Sequence, residues 1–213
     1  MYFAQQPQQK KIFGIRTSDV EINDLLKAWI LVSIAFTLLL NGFTFDVGTL
    51  LTLFLAAITV GTGFLLHELA HKLVAQHYHC WAEFRADNTM LLFALFSAFL
   101  GFLFAAPGAV MIYGPHINPK QNGIISAVGP LMNYIFALFF LLLLFFVPLP
   151  FVSAIAQYGF MINSWIGLFN MIPFFAFDGA KIFRWNTFVW GGMVCIGIGL
   201  WIAREVLMYN GVY

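Results

Sequence analysis

His67, Glu68 and His71 have the types and spacing that most plainly allow chemistry in this chain, in the run His67-Glu68-Leu69-Ala70-His71. On a helix, positions four apart lie one turn above each other, so the two imidazoles share a face. Imidazoles placed in this way can bind one zinc ion, and Glu68 can act as base toward a water on that ion. Bound zinc brings the pKa of such a water down to about 7. Plainer readings compete with this one. Glu68 and Lys72 are also four apart and could form an ordinary helix ion pair, and either histidine could be a satisfied core residue. Against them stands the scarcity of both types in a chain of five His and four Glu. An ionisable group kept inside an apolar span is costly and is functional by default.

A catalytic zinc site needs a third protein ligand and one open position. Of the other acids, Asp19, Glu21, Asp24 and Asp46 fall at interfaces, Glu83 and Asp87 follow the motif in a polar stretch, and Glu205 is near the far end. Asp178 closes an apolar run, in Asn170-Met171-Ile172-Pro173-Phe174-Phe175-Ala176-Phe177-Asp178-Gly179. It is the candidate third ligand, with a helix cap before Gly179 as its alternative. Pro173 has no N–H and should open the preceding helix near Phe169, leaving 170–178 irregular. Asn170 could then bind a substrate backbone or an oxyanion, or simply join helices as a buried amide. Gly129 and Asn133, in Gly129-Pro130-Leu131-Met132-Asn133, are expected to give a close helix contact and an interhelical hydrogen bond. His77, His79 and His116 are expected in loops. Cys80 and Cys195 lack ligand spacing and are taken as packing residues.

The elements that must position these residues are membrane spans. The 213 residues are 62% hydrophobic and 9% charged, with mean hydropathy +0.88. Soluble domains are roughly 45–50% apolar and about 25% charged. The composition excludes an ordinary soluble enzyme, a disordered chain and a basic nucleic-acid binder. A helical span takes about 20 apolar residues. The expected organisation is a polar tail over 1–17, which does not resemble a signal peptide, and one membrane-embedded domain over 18–213. Ser18-Asp19-Val20-Glu21 reads as a capping box opening the first helix. Spans are expected at about 22–42, 49–75, 123–147, 151–173 and 186–205.

The block 90–113 is interrupted by Gly101 and Pro107-Gly108 and is expected to be re-entrant. With it re-entrant, nine of the ten Lys and Arg residues fall on one side, all but Arg204; a single crossing would leave seven against three. The basic side is then cytoplasmic. The same topology carries Asp178 to the side of the membrane on which His67 and His71 lie. The fold class is therefore an all-α polytopic membrane protein with about five transmembrane helices, one re-entrant or broken hairpin and short β-strands near the site.

Three motifs together resemble the site-2 protease family of intramembrane zinc metalloproteases: His67–His71 inside a span, Gly129–Asn133 in a later span, and the N-x-x-P-x-x-x-x-D-G run Asn170–Gly179. They anchor roughly residues 60–185. The resemblance implies one Zn(2+) held by His67, His71 and Asp178, with Glu68 as general base and Asn170 holding the substrate or the tetrahedral intermediate. It implies a transmembrane protein as substrate, a multi-pass protein of a prokaryotic cell membrane, and a site toward the cytoplasmic face. Many members carry a second Gly where this chain has Ala180, and no PDZ-like or CBS module is expected. Two other functions remain open, a membrane metal transporter and a catalytically inactive binder of transmembrane segments. Intramembrane His and Asp suit the first, but their clustering near one side suits a pathway poorly. The intact Glu68 argues against the second. An exposed strand edge near 81–87 or 108–114 could receive an unwound substrate by strand addition.

Overall fold

Ser18 opens the first long helix, as its capping pattern requires. In the computed structural model, which describes residues 9–44, 46–104, 106–114, 117–147 and 149–209, helix α1 spans Asp19–Asn41 with Ser18 as N-cap. The Ser18 hydroxyl accepts the Glu21 N–H at 3.2 Å. Only half of the expected capping box forms, because the Glu21 carboxylate is engaged elsewhere. The stretch expected as a polar tail contains a small antiparallel hairpin, β1 (Lys10–Ile12) and β2 (Ile15–Thr17). Its two-residue turn, Phe13-Gly14, has positive φ at both positions, the geometry that matches strand twist in tight hairpins.

Helix α2 (Val47–Val60) starts at the Asp46 N-cap. It widens into a π turn over Gly61–Leu65 and resumes as α3 (Leu66–His77), the motif helix. π turns inside α-helices are uncommon and gather at functional sites. The chain then forms β3 (Trp81–Ala86), α4 (Asn88–Phe99) and β4 (Gly108–Tyr113). Strands β3 and β4 pair antiparallel from Trp81↔Tyr113 to Ala86↔Gly108. The Gly/Pro-interrupted block is thus an out-and-back excursion, built from one short helix and one strand rather than two helices. Gly101 takes a positive φ at the turn after α4. Gly108 also has a positive φ, and a Cβ there would press into the Ala86 backbone and the Phe84 ring.

Helix α5 (Pro119–Phe146) opens on a full capping box between Asn118 and Gln121. It packs along α6 (Pro150–Phe169), where a Cβ on Gly159 would collide with the Phe140 ring. The short α7 (Asp178–Trp185) and the long α8 (Thr187–Tyr209) follow. Among the described residues four segments are long and apolar enough to cross a membrane: Asp19–Asn41, Val47–His77, Pro119–Phe146 and Thr187–Leu207. The protein is an all-α polytopic membrane protein with a few short strands. Most of α8 faces outward, as a helix solvated by lipid can.

Candidate metal centre

The motif helix presents His67 and His71 on one face, and both are buried with Glu68. Asp178 reaches them from the first residue of α7. Its Oδ2 lies 3.2 Å from His67 Nε2 and 2.9 Å from His71 Nε2. The two Nε2 atoms are 2.9 Å apart. Among the described residues these three are the group of His, Cys, Asp and Glu side chains whose ligand atoms converge on one point. Tetrahedral ligands at about 2.0–2.1 Å from zinc would be separated by about 3.3 Å. The donor triangle is close to that size, and its two nitrogens and one carboxylate oxygen are a donor set zinc accepts.

Each imidazole is held from behind. His71 Nδ1 lies 2.6 Å from the Ile125 carbonyl, which can only accept, so Nδ1 carries the proton and Nε2 keeps its lone pair. His67 Nδ1 is 2.6 Å from Asn133 Oδ1. Hydrogen bonds of this kind orient metal-ligating histidines. Both partners come from α5, which approaches closely because residue 129 is glycine. A Cβ on Gly129 would stand 2.6 Å from His67 Nε2 and closer still to His71 Nε2. The close contact expected at Gly129 is therefore a contact with the candidate ligands themselves.

Asp178 owes its position to the break after α6. That helix ends at Phe169, four residues before Pro173, and 170–177 run without helix. The excursion is closed by the Gly179 N–H donating to the Asn170 carbonyl at 2.7 Å. A Cβ on Gly179 would collide with the Met171 and Ile172 carbonyls, so the Asp-Gly pair has a steric basis. The Trp190 indole N–H donates to the Met171 carbonyl at 2.8 Å and ties the loop to α8. Lys181, one turn along α7, donates to Asp178 Oδ1 at 3.3 Å, leaving Oδ2 turned to the histidines.

Glu68 is buried beside the triad and makes no hydrogen bond or ion pair among the described residues. Lys72, its possible i+4 partner, bonds to Glu21 of α1. Glu68 and His67 instead line a cavity of about 970 Å³. Asn170 lines the same cavity, with its side-chain amide donating to the Ile166 carbonyl at 2.9 Å. Trp165, Phe169 and Phe177 form an apolar wall, and Gly108, Ala109 and Met111 bring β4 to the rim. His77, expected in a loop, is instead the last residue of the motif helix, His79 follows in the turn, and both are exposed and do not join the site. His116 lies outside the described residues. Cys80 is buried against Ala75, Ala82 and Ile125, and Cys195 is exposed on α8.

Three partners were not assigned from the sequence: the Ile125 carbonyl, the Asn133 contact to His67, and Lys181. A backbone carbonyl leaves no sequence signal. Asn133 was visible as a polar residue in an apolar span, and Lys181 as a cation three positions after Asp178.

No family model matches the chain, and no solved structure matches it. A protein of Methanocaldococcus jannaschii that carries the name "Putative zinc metalloprotease" is 40% identical over 192 residues, covering 88% of this chain and 96% of the relative. The identity and coverage are those of one family. Together with a buried His, His and Asp donor set of zinc-binding size, they give the conclusion that this chain belongs to that family of zinc metalloproteases.

Proposed function

We propose that the protein is an intramembrane endopeptidase of the site-2 protease type, cutting transmembrane segments of other membrane proteins. The observation that carries this reading is the Glu68 carboxylate. It is unpaired among the described residues, stands beside His67, His71 and Asp178, and faces a cavity flanked by apolar helices. One zinc ion per chain, held by these three residues, would polarise both a water and the scissile carbonyl. Glu68 takes a proton from the attacking water and passes it to the leaving amine nitrogen, so water and peptide become a carboxylate and an amine. Asn170 stands at the cavity wall, where its amide can turn from the Ile166 carbonyl to a substrate oxygen. The bias of Lys and Arg toward one side supports a site on the cytoplasmic side of the membrane, which we take to be a prokaryotic cell membrane.

A helical substrate hides its carbonyls in hydrogen bonds and must unwind before attack. Among the described residues, the sheet leaves one edge without backbone partners for the unwound strand. The β3 edge is occupied by α1, because the Phe84 N–H donates to Glu21 Oε1 at 2.9 Å and the Ala86 N–H to Asp24 Oδ2 at 3.3 Å. Phe84 and Ala86 therefore point away from β4. Their partners Val110 and Gly108 must point away from β3, since antiparallel pairs face inward or outward together. The outer edge of β4 is thus available for strand addition.

The test is cleavage of a membrane-spanning substrate in proteoliposomes by the wild type and by Glu68→Gln. The expected result is cleavage by the wild type and none by the variant, with zinc content equal in both. Equal cleavage by both would refute the mechanism. Zinc-dependent ion flux without cleavage would favour a transporter, and substrate binding without cleavage by the wild type an inactive binder.

A further inference from the structure

Asn133 is fully buried in α5 and makes hydrogen bonds on both sides of its amide. Nδ2 lies 2.6 Å from the Gly63 carbonyl, and Oδ1 lies 2.6 Å from His67 Nδ1. The two ends of a carboxamide differ in chemistry, and here the environment decides which faces where. A backbone carbonyl only accepts, so the atom toward Gly63 must be the NH2 group. The oxygen is then the atom toward His67. An oxygen there only accepts, so His67 Nδ1 must carry the proton. The lone pair is left on Nε2, the atom that meets His71 and Asp178.

Gly63 sits in the middle of the π turn, four residues before His67. A widened turn loosens the regular helical hydrogen bonding and makes a carbonyl available to a side chain from another helix. A second buried amide supports the same orientation. Asn163 of α6 places Oδ1 3.4 Å from Asn133 Nδ2, and its own Nδ2 donates to the Gly159 carbonyl at 2.8 Å. The backbone acceptor of Gly159 fixes Asn163, and the acceptors of Gly63 and Asn163 then fix Asn133. Both links run from acceptors that cannot reverse.

We infer that Asn133 is a positioning residue that holds His67 in its Nδ1–H form, with the π-turn carbonyl of Gly63 selecting the direction of the Asn133 amide. The π turn then has a role beyond bending the span, since it supplies the acceptor from which the ligand atom of His67 is chosen. The inference rests on the reading of His67 as a metal ligand. It concerns metal binding and is independent of whether peptides are cut.

The test compares zinc affinity of the detergent-solubilised wild type, Asn133→Leu and Asn133→Asp by competition with a chromophoric chelator. Partners behind metal-bound histidines typically change metal affinity by about 10–100-fold when removed. The leucine variant should lose affinity in that range. The aspartate variant should stay close to the wild type, because as the neutral acid its O–H can donate to the Gly63 carbonyl while its other oxygen still accepts from His67 Nδ1. Unchanged affinity in Asn133→Leu overturns the inference, and so does equal loss in both variants, which would make Asn133 a packing residue. Absence of zinc binding in the wild type would instead refute the metal site itself. A measurement that needs no folded Asn133 variant is 15N NMR of the metal-free wild type labelled at histidine, with His67 assigned against His67→Gln. A proton on His67 Nδ1 is expected, and a proton on Nε2 alone overturns the inference.

Discussion

Lys72 pairs with Glu21, not with Glu68. Glu68 and Lys72 have the spacing of a helix ion pair, yet the Lys72 ammonium is turned to a carboxylate on α1. Both members are buried, Glu21 to 1% and Lys72 to 5% exposure. Glu21 also accepts the Thr17 hydroxyl at 2.6 Å and the Phe84 N–H at 2.9 Å. One carboxylate thus joins the N-terminal hairpin, the motif helix and β3, and it leaves Glu68 without a cation on its own helix.

Removing one partner of a buried pair leaves an unpaired charge and costs about 3–5 kcal/mol, whereas apolar replacement of both can be nearly neutral. Lys72→Met and Glu21→Gln should each lower stability by about that amount. The double variant Lys72→Met with Glu21→Leu should recover part of it. Unfolding in mixed micelles checks this. Additive losses in the double variant would mean that the two residues act separately.

Gly129 is where α5 approaches the candidate ligands. Gly129→Ala places a methyl group against both Nε2 atoms, and both rings are held from behind by Asn133 and the Ile125 carbonyl. The variant should lose stoichiometric zinc and activity together. Gly191→Ala on α8 is the control, since a Cβ there meets nothing within 4 Å. Metal analysis of the two purified proteins decides the matter, and normal zinc in Gly129→Ala would contradict the packing.

The core of this site was legible because its residues leave patterns. His67 and His71 are fixed by helical spacing, and Asp178 by its place after Pro173 at the end of an apolar run. The rest came from contacts between residues far apart in sequence. Nothing local to Glu21 says that it will meet Lys72, and its capping-box spacing pointed to a different bond. The two short strands were harder still, because six residues between helices carry little periodicity. Strand edges were expected near 81–87 and 108–114, but nothing in the sequence showed that these two segments pair with each other, a pairing that depends on Gly108, where no larger residue fits.

Glu83 gives the fold an acid-sensitive point. Burial opposes its charge, but hydrogen bonds from Ser18, Gln9 and Arg85 outweigh that and hold its pKa below the ordinary 4.5. A carboxyl whose folded pKa is depressed contributes stability above its unfolded pKa and loses it as pH falls through the folded value. Stability of the wild type should therefore fall below pH 4.5 more steeply than that of Glu83→Gln. Unfolding measured between about pH 3 and 6 tests this, and parallel curves would show that Glu83 is not responsible.

Asp178 is held on one oxygen by Lys181 and presents the other to the histidines. Asp178→Ala removes a candidate ligand and leaves two imidazoles, too few for a catalytic zinc site. Zinc affinity should collapse, and excess zinc should not restore activity. Lys181→Met should be milder, since Lys181 is partly exposed and surface pairs contribute about 0–1 kcal/mol. Full zinc retention in Asp178→Ala would remove that residue from the site.

The outer edge of β4 separates substrate docking from chemistry. Val110 directs its backbone away from β3 toward that edge, and proline at this position cannot donate to an added strand. Its side chain is half-buried, so Val110→Pro should preserve the fold better than a change at Phe84. If the substrate joins the sheet there, the variant should show a raised KM with zinc content unchanged. The chemical step depends on Glu68 and the triad, which proline does not touch, so kcat at saturating substrate should change little. A fall in kcat with KM unchanged would mean that the substrate reaches Glu68 without pairing with β4. In that case the apolar wall of Trp165, Phe169 and Phe177 would have to hold the unwound segment by side-chain contacts alone.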